Sequence, residues 1–364
     1  MIASARHNSR LEYYRHPFGA VAAGGAVRLR LEILSEFEAQ CFLHLRSREG
    51  GEQLLPMELI DRISAQGLGH RLYECTVTLP AQPGLMWYDF EIDHRDKYYY
   101  YGCAEGSGGE GRLSTVPLHG FQITVYHPSP VPAWFKQALV YQIFPDRFFR
   151  SLPAGHYRPA GSRRILHADW NDVPFYNRDE SGAIERWDFF GGDLRGIIDK
   201  LPYLEQLGVD AIYLNPVFQA ASNHRYDTGD YHRIDPVLGD EDDLRLLCQK
   251  AGKLGIRIIL DGVFAHSGDD SVYFNRYGNY PTLGAYQSRG SHYYNWYSFE
   301  QWPETYKCWW GVKSLPRLDC TQDSYRDFIY RRPDSVLRHW MGCGVSGWRL
   351  DVADELPDAF ALVR

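Results

Sequence analysis

An arginine and an aspartate two residues apart form the pattern in this sequence best suited to chemistry. Arg349 and Asp351 lie in a run that predicts a strand, and alternate residues of a strand point to the same face. A cationic neighbour keeps a carboxylate ionised and orients it, which a carboxylate nucleophile requires. The alternative is an ion pair that serves only packing inside a barrel.

Polar residues lie at the end of each of four predicted strands, and Asp351 lies at the end of the last of them. The apolar runs predict strands over 138–144, 211–214, 256–260 and 347–352. The other strand ends carry Pro145 to Arg147, Asn215 with Pro216, and Asp261 with Gly262. Amphipathic patterns over 194–207, 240–254 and 324–341 predict helices between the strands, so the sequence indicates βα units around a parallel sheet. In a (β/α)₈ barrel the site lies at the carboxyl ends of the strands, whereas ordinary loop solvation explains four such ends poorly.

The predicted catalytic domain covers 136–364 and contains only the first four βα units of a TIM-type barrel that needs about eight. The sequence stops at Arg364, after the fourth strand, where the fourth helix of the barrel is expected. The segment 266–323, after the third strand, is far longer than an ordinary βα loop and is rich in Tyr and Trp. We expect it to form an inserted subdomain.

Residues 1–126 predict a different domain. Apolar residues alternate with polar ones in short runs bounded by Gly and Pro, which is typical of a β-sandwich. The runs lie within 27–33, 39–45, 73–79, 86–92 and 121–125. The segment 127–135 contains three prolines in alternating positions and predicts a semi-rigid linker.

The composition of the chain argues against several classes of protein. The net charge of −7 disfavours a nucleic-acid scaffold, and no apolar run is long enough for a transmembrane helix. Seven cysteines without zinc spacing indicate reduced thiols, and the charged N-terminus lacks the pattern of a secretory signal. These features predict a cytoplasmic protein, with a mature exported chain as the alternative.

Five ordered motifs carry a family resemblance. They are Val140 to Phe148, Gly191 to Leu194, Leu214 to Pro216 with Asn223 to Thr228, Asp261 to His266, and Gly347 to Ala353. Together they resemble glycoside hydrolase family 13, the α-amylase family, in its neopullulanase, cyclomaltodextrinase and amylopullulanase-like branch. The resemblance covers nearly the whole chain, because that branch also carries an N-terminal sandwich of a carbohydrate-binding type.

The resemblance implies roles for seven residues. Asp351 matches the nucleophile that forms a covalent glycosyl-enzyme, and Arg349 matches the arginine that pairs with Asp261. His266 matches a residue that bonds to hydroxyl groups of the sugar at the cleavage point. The other substrate-binding matches are the stacking platform Tyr226, the adjoining Asp227, which bonds to substrate or only fixes its loop, and the acceptor-side Glu355.

Two departures from the family pattern concern the hydrogen bonds that support the site and the binding of calcium. Ala265 stands where many members have an asparagine. The run 149–153 places the cation Arg150 where relatives supply Asn and Asp oxygens. Asp193 still matches a calcium ligand of the family, but one carboxylate does not supply the six to eight oxygens that Ca²⁺ takes. No cofactor is expected to be required, and calcium remains an open alternative.

The expected function is a retaining α-glucan hydrolase acting on α-1,4 bonds, with α-1,6 bonds open, of maltooligosaccharides, cyclodextrins, starch or pullulan. The family's general acid is a glutamate on the fifth barrel strand, beyond this sequence, so the 364-residue chain alone is expected to be inactive. The alternatives are a carbohydrate-binding protein without catalysis and a transglycosylase of the same family. A homodimer is an open possibility, and neither nucleic acid nor membrane is an expected partner.

Overall fold

A computed structural model describes residues 2–65, 68–95, 97–104, 106, 108–128, 130–151, 164–180, 182 and 184–361. Ser129 of the predicted linker, Leu152 and Pro153 of the expected cation-bearing run, and the terminal Arg364 lie outside the described residues. The chain divides into two compact units, Met1–Pro132 and Ala133–Arg364, and this division falls inside the segment 127–135.

The first unit is built from strands around one apolar core, and all its strand pairs are antiparallel except one short parallel pair, Val21–Ala22 with Val125–Tyr126. The strands are β1 Ile2–Arg6, β2 Arg15–His16, β3 Val21–Ala22, β4 Ala26–Ser35, β5 Gln40–Ser47, β6 Glu52–Pro56, β7 Glu58–Ala65, β8 Leu68–Thr78, β9 Gly84–His94, β10 Lys97–Cys103, β11 Gly111–Ser114 and β12 Phe121–Tyr126. One sheet has the order β1–β4–β8–β7, with β2 on β4, and the other has the order β11–β10–β9–β12–β3, with β5 on β9 and β6 on β5. Alternate residues of β4 and β9, such as Leu29, Leu31 and Phe90, are buried in that core.

The five predicted runs lie in strands, apart from Ala39 and Leu79 at their ends, but the pattern did not reveal several other strands. In β10 consecutive tyrosines conceal the alternation: Tyr98 is exposed and Tyr101 is buried, although the residue type is the same. Binary patterning fails where the two faces of a strand carry the same amphipathic side chain.

The second unit contains the strands β13 Val140–Ile143, β14 Arg164–Leu166, β15 Asn177–Arg178, β16 Ile184–Phe189, β17 Ala211–Leu214, β18 Phe218–Ala220, β19 Thr228–Ile234, β20 Arg257–Gly262, β21 Phe299–Gln301, β22 Thr305–Tyr306, β23 Cys308–Trp309, β24 Val312–Pro316 and β25 Gly347–Leu350. Four of them form a parallel sheet in the order β13–β17–β20–β25. The central strands β17 and β20 are mostly buried, as expected for a sheet covered on both faces, whereas β13 and β25 at the two ends of the order are more exposed. Each of the four predicted strands lies in this sheet, with ends shifted by up to two residues.

Helices cover the sheet as the amphipathic patterns predicted, with one correction. They are α1 Leu194–Gln206, α2 Glu241–Lys253, α3 Asp323–Arg326, α4 Val336–Gly342 and α5 Asp358–Ala361. The single helix predicted over 324–341 was wrong, because α3 runs into a π-helical turn, Asp327–Arg331, and the backbone is extended at Arg332. Pro333 causes this break, since proline disfavours the helical conformation of the residue before it.

The segment between β20 and α3 folds onto the same apolar core as the sheet. It contains the hairpins β21–β22 and β23–β24, and its buried aromatic residues belong to the core cluster of the second unit. These residues include Tyr273, Phe274, Trp296, Tyr297 and Tyr306.

Candidate active site

The register of β20 and β25 brings the candidate catalytic residues together. Asp261 is the partner of Arg349 in this parallel pair, so their side chains lie on one face at the carboxyl end of the sheet. The Asp351 amide donates to the Gly262 carbonyl at 3.1 Å and continues the pairing beyond the strand. Both carboxylates are buried, with Asp261 at 1% and Asp351 at 8% exposure.

One arginine nitrogen holds both carboxylates. Arg349 Nη1 lies 3.0 Å from Asp261 Oδ1 and 2.6 Å from Asp351 Oδ1. Burial acts to lower the pKa of Arg349, but its bonds to the two carboxylates raise it above the usual value. The guanidinium therefore stays charged and orients Asp351 through a charge-assisted hydrogen bond.

Two tyrosines complete the surroundings of Asp261. Tyr213 and Tyr226 both donate their hydroxyl protons to Asp261 Oδ2, Tyr226 at 3.1 Å. Burial raises the pKa of Asp261, while the bonds from Tyr213 and Arg349 oppose that rise. Asp261 is thus a fully engaged acceptor that fixes three neighbouring side chains.

The loop 222–227 fixes the orientation of Tyr226. Asp227 accepts hydrogen bonds from the backbone amide and the hydroxyl of Ser222, which favours the loop-fixing role over a direct substrate contact. Arg225, with φ of +61°, is fully buried and pairs with Asp235. Asn215 donates to the Tyr226 hydroxyl at 3.2 Å, so the carboxyl end of β17 also positions the ring.

The imidazole ring of His266 is buried without side-chain or backbone hydrogen-bond partners among the described residues. The residue as a whole is 2% exposed. Burial lowers the pKa of His266, whereas Asp351, the nearby Tyr226 carbonyl and Asp227 act in the opposite direction. A neutral imidazole with an unpaired donor and acceptor suits the hydroxyl groups of a ligand, because buried polar groups otherwise find partners.

A chain of aromatic contacts links His266 to Glu355. The His266 ring lies 5.7 Å from Trp309, which stacks on Trp310 at 5.5 Å. Trp310 is 81% exposed and donates from Nε1 to Glu355 at 2.8 Å. Glu355 lies in a 3₁₀ turn that begins after Val352, whose φ of +43° is sterically costly for a β-branched residue.

The remaining motif residues build the first βα loop. Asp146 accepts from the amides of Phe190 and Gly191 at 3.0 and 3.1 Å, which ties this loop to the segment before α1. Gly192 and Gly196 allow a very close approach, since a Cβ at either would lie 2.1 Å from the carbonyl oxygen of Pro145 or Phe149. The two amide hydrogen bonds to Asp146 thus give this carboxylate a structural role in the loop.

The structure uses Asp193 as a helix cap. Its carboxylate accepts from the Gly196 amide and, at 2.8 Å, from the Ser151 hydroxyl. Burial raises the pKa of Asp193, which disfavours its charged form. Within the described residues, the cluster of three potential metal-binding side chains is Glu241, His339 and Cys343, and it does not include Asp193. The surroundings of Asp193 therefore do not fit a calcium ion.

The structure thus brings Asp351, Arg349, Asp261, Tyr226 and His266 together, with Glu355 joined to them through two tryptophans. Sequence reasoning missed Tyr213, Trp309 and Trp310 as site residues. Tyr213 lies two residues before Asn215, so the period of two along β17 was the available signal.

A comparison with known protein families covers most of the second unit. The alpha-amylase catalytic domain family matches residues 142–361. The chain belongs to the α-amylase family of glycoside hydrolases. The family match thus includes every residue assembled above, from Tyr213 to Glu355.

Individual members of the α-amylase family show the extent of similarity. An amylopullulanase from Thermoanaerobacterium saccharolyticum is 37% identical over 98% of this chain and 30% of its own length. Neopullulanase 2 from Thermoactinomyces vulgaris is 38% identical over 66% of this chain and 38% of its own length. A solved cyclomaltodextrinase structure superposes with a TM-score of 0.54 at 26% identity, over 99% of this chain and 57% of its own. The chain therefore spans about a third of the length of these curated relatives.

The helices in the described part of the chain are all too short or too polar to span a membrane.

Proposed function

We propose that this α-amylase family chain belongs to a retaining α-glucan hydrolase that cleaves α-1,4 bonds, with α-1,6 bonds as an alternative. The observation that carries the proposal is the buried Asp351 carboxylate, held 2.6 Å from Arg349 beside the unpaired imidazole of His266. The substrate class is maltooligosaccharide, cyclodextrin, starch or pullulan, in line with the amylopullulanase and neopullulanase names of its relatives.

In the proposed mechanism an Asp351 oxygen attacks the anomeric carbon while the glycosidic bond breaks. A second carboxyl group donates its proton to the departing oxygen, and water later hydrolyses the glycosyl ester with that group as base. We propose that this second carboxyl group is a glutamate beyond the 364 residues. Asp261 is a poor candidate because Tyr213, Tyr226 and Arg349 already occupy its lone pairs.

The neighbouring residues have positioning roles in this proposal. His266 bonds to hydroxyl groups of the sugar at the cleavage point, and the ring of Tyr226 stacks beneath it. Asp261 acts through Arg349 and both tyrosines, and it is a positioning residue. Asp227 keeps the Tyr226 loop in place.

The chemistry can be tested by trapping the covalent intermediate. An active enzyme that carries these residues is treated with a 5-fluoro-α-glucosyl fluoride, digested and analysed by mass spectrometry. We expect the mass of one fluoroglucosyl group on the peptide that contains Asp351. Asp351→Asn should abolish labelling, whereas Asp354→Asn, in the exposed turn three residues later, should retain it. A label on another residue would overturn the assignment.

Transglycosylation is a second candidate because of one observation. The exposed ring of Trp310, anchored by Glu355, offers an apolar surface on which a sugar acceptor can stack in competition with water. Products longer than the substrate would favour transfer, and exclusively shorter products would favour hydrolysis.

The fold and setting of the whole protein are also proposed. The two sheets of the first unit are interpreted as a carbohydrate-binding β-sandwich, and the parallel sheet as the first half of a (β/α)₈ barrel. A cytoplasmic location, a homodimer and independence from cofactors rest on the family resemblance and the cysteine pattern.

A further inference from the structure

The first βα loop of this chain is rich in positive charge. From Arg147 to His167 the sequence contains five arginines and no Asp, Glu, Asn or Gln. Side-chain oxygens suited to a hard cation are therefore nearly absent from this stretch of sequence. The buried carboxylates beside this stretch are already engaged. Asp188 binds Arg147 and His167, and Asp193 caps α1 and accepts from Ser151.

One of these arginines lies among backbone carbonyl groups. Arg150 donates from Nε to the Phe190 oxygen at 2.9 Å, and its Nη2 also donates to that oxygen. The same Nη2 donates to the His167 oxygen at 3.2 Å, and Nη1 donates to the Ala168 oxygen at 3.5 Å. Arg150 is half-buried, and the centre of its guanidinium group lies 5.7 Å from the Trp170 ring.

These carbonyl groups belong to two segments that already lie side by side, because β14 pairs with β16 and the His167 amide donates to the Phe189 carbonyl at 2.8 Å. His167 and Ala168 follow β14, whereas Phe190 follows β16 and precedes the two glycines that lead into α1. Carbonyl oxygens turned toward one point repel each other unless a cation lies between them. A guanidinium group supplies both the charge and directed donors.

We propose that Arg150 is the resident cation of the first βα loop, joining the segments 167–168 and 190 in the way a bound metal ion would. The stability of this part of the chain is then independent of calcium. The proposal is separate from the proposed function, because it concerns a contact that does not involve Asp351.

The test measures thermal unfolding and local hydrogen exchange of the chain. The unmodified protein should unfold at the same temperature in EDTA and in millimolar CaCl₂, and it should contain no stoichiometric calcium after dialysis. Arg150→Ala should unfold roughly 5 °C lower or more, since it loses several bonds to a charged group. Amides of 164–172 and 188–193 should exchange faster in this variant than in the parent.

Chemical rescue separates the role of the cation from general damage. Low-millimolar ethylguanidinium should restore part of the lost stability and slow the same amides, and ethylammonium should restore less. The matched control is Arg178→Ala, which removes an exposed arginine that donates to the Gly182 carbonyl at 2.6 Å and should show no rescue. If Arg150→Ala does not fold, Arg150→Lys replaces it and should show an intermediate loss.

Three outcomes would overturn the proposal. A lower unfolding temperature of the unmodified protein in EDTA would show that it depends on a metal ion. Equal stability of Arg150→Ala and Arg178→Ala would show that the contacts contribute nothing. Failure of ethylguanidinium to protect 164–172 in Arg150→Ala would show that the loss does not arise from the missing cation.

Discussion

Arg349 joins Asp261 and Asp351 through the same atom, Nη1, at 3.0 and 2.6 Å. The two carboxylates therefore share one positive charge, and each influences how the other is held. Asp261 has two tyrosine donors in addition, whereas Oδ2 of Asp351 accepts no side-chain hydrogen bond from the described residues. This asymmetry distinguishes the positioning carboxylate from the proposed nucleophile.

Replacing Arg349 by methionine should destabilise the second unit in a pH-dependent way. Burial raises the pKa of Asp261, so stability is lost as pH rises through that raised value, and removal of Arg349 should increase this loss. Because the Arg349 side chain is 42% exposed and partly screened, we expect about 1–2 kcal/mol at pH 7.5 and less at pH 4.5. Urea unfolding at both pH values measures it. An equal loss at both, or the same pattern in the control Arg338→Met, would contradict this account.

Two substitutions of Tyr226 should separate its ring from its hydroxyl group. Tyr226→Phe removes the bonds to Asp261 and Asn215 but keeps the stacking face, so kcat/KM on maltoheptaose should fall by less than about tenfold. Tyr226→Ala removes the platform and should cost roughly a hundredfold or more. The measurement needs an active enzyme that carries these residues. Equal losses would mean that the hydroxyl network, rather than stacking, sets the contribution of Tyr226.

Trp310→Ala should affect substrate binding without affecting the fold. The ring is 81% exposed, so the free energy of unfolding should change by less than about 0.5 kcal/mol. Loss of a stacking surface should raise KM for long maltooligosaccharides by about three- to tenfold and leave kcat nearly unchanged. The control is Tyr203→Ala, an exposed aromatic on α1 that should leave KM unchanged. A KM unchanged in Trp310→Ala would argue against an acceptor site there.

His7 should make the first unit sensitive to acid. Its Nδ1 donates to the Arg30 carbonyl and its Nε2 accepts from the Tyr88 hydroxyl, so the buried ring is neutral, and burial lowers its pKa to about 3. The unfolded chain takes up this proton near pH 6.5, so stability should fall as pH drops below that value, by about 2 kcal/mol at pH 5.

Urea titrations at pH 7 and pH 5, followed by hydrogen exchange of peptides from β4 and β8, measure this loss in the first unit. His7→Gln should reduce the dependence on pH, whereas His119→Gln, at an exposed histidine, should retain it. Identical midpoints at the two pH values would be evidence against a role for His7.

Much of the second unit was predictable because its signals are local. Short apolar runs located β13, β17, β20 and β25, and the motifs at their ends identified the family, which the comparisons confirmed. The amphipathic patterns located α1 and α2 to within a residue at each end. The single helix over 324–341 failed because periodicity outweighed the effect of Pro333.

Other features depend on contacts between distant residues. The hydrogen bonds from Tyr213 and Tyr226 to Asp261 join three separate segments of the chain, and no spacing in the sequence predicts these bonds. The chain from His266 through Trp309 to Trp310 depends on where the hairpin β23–β24 folds, which aromatic content alone did not indicate. The use of Asp193 as a cap became visible only with the helix in place.

The close packing at Gly192 and Gly196 affects how mutational surveys of this protein should be interpreted. Any side chain at either position meets a carbonyl oxygen at 2.1 Å and forces α1 away from the loop that contains Asp146. In a screen that records activity alone, both glycines will therefore be as intolerant of substitution as Asp351, although neither bears a reactive group. Only a parallel screen for soluble, folded protein would separate the positions that build the scaffold from those that perform the reaction.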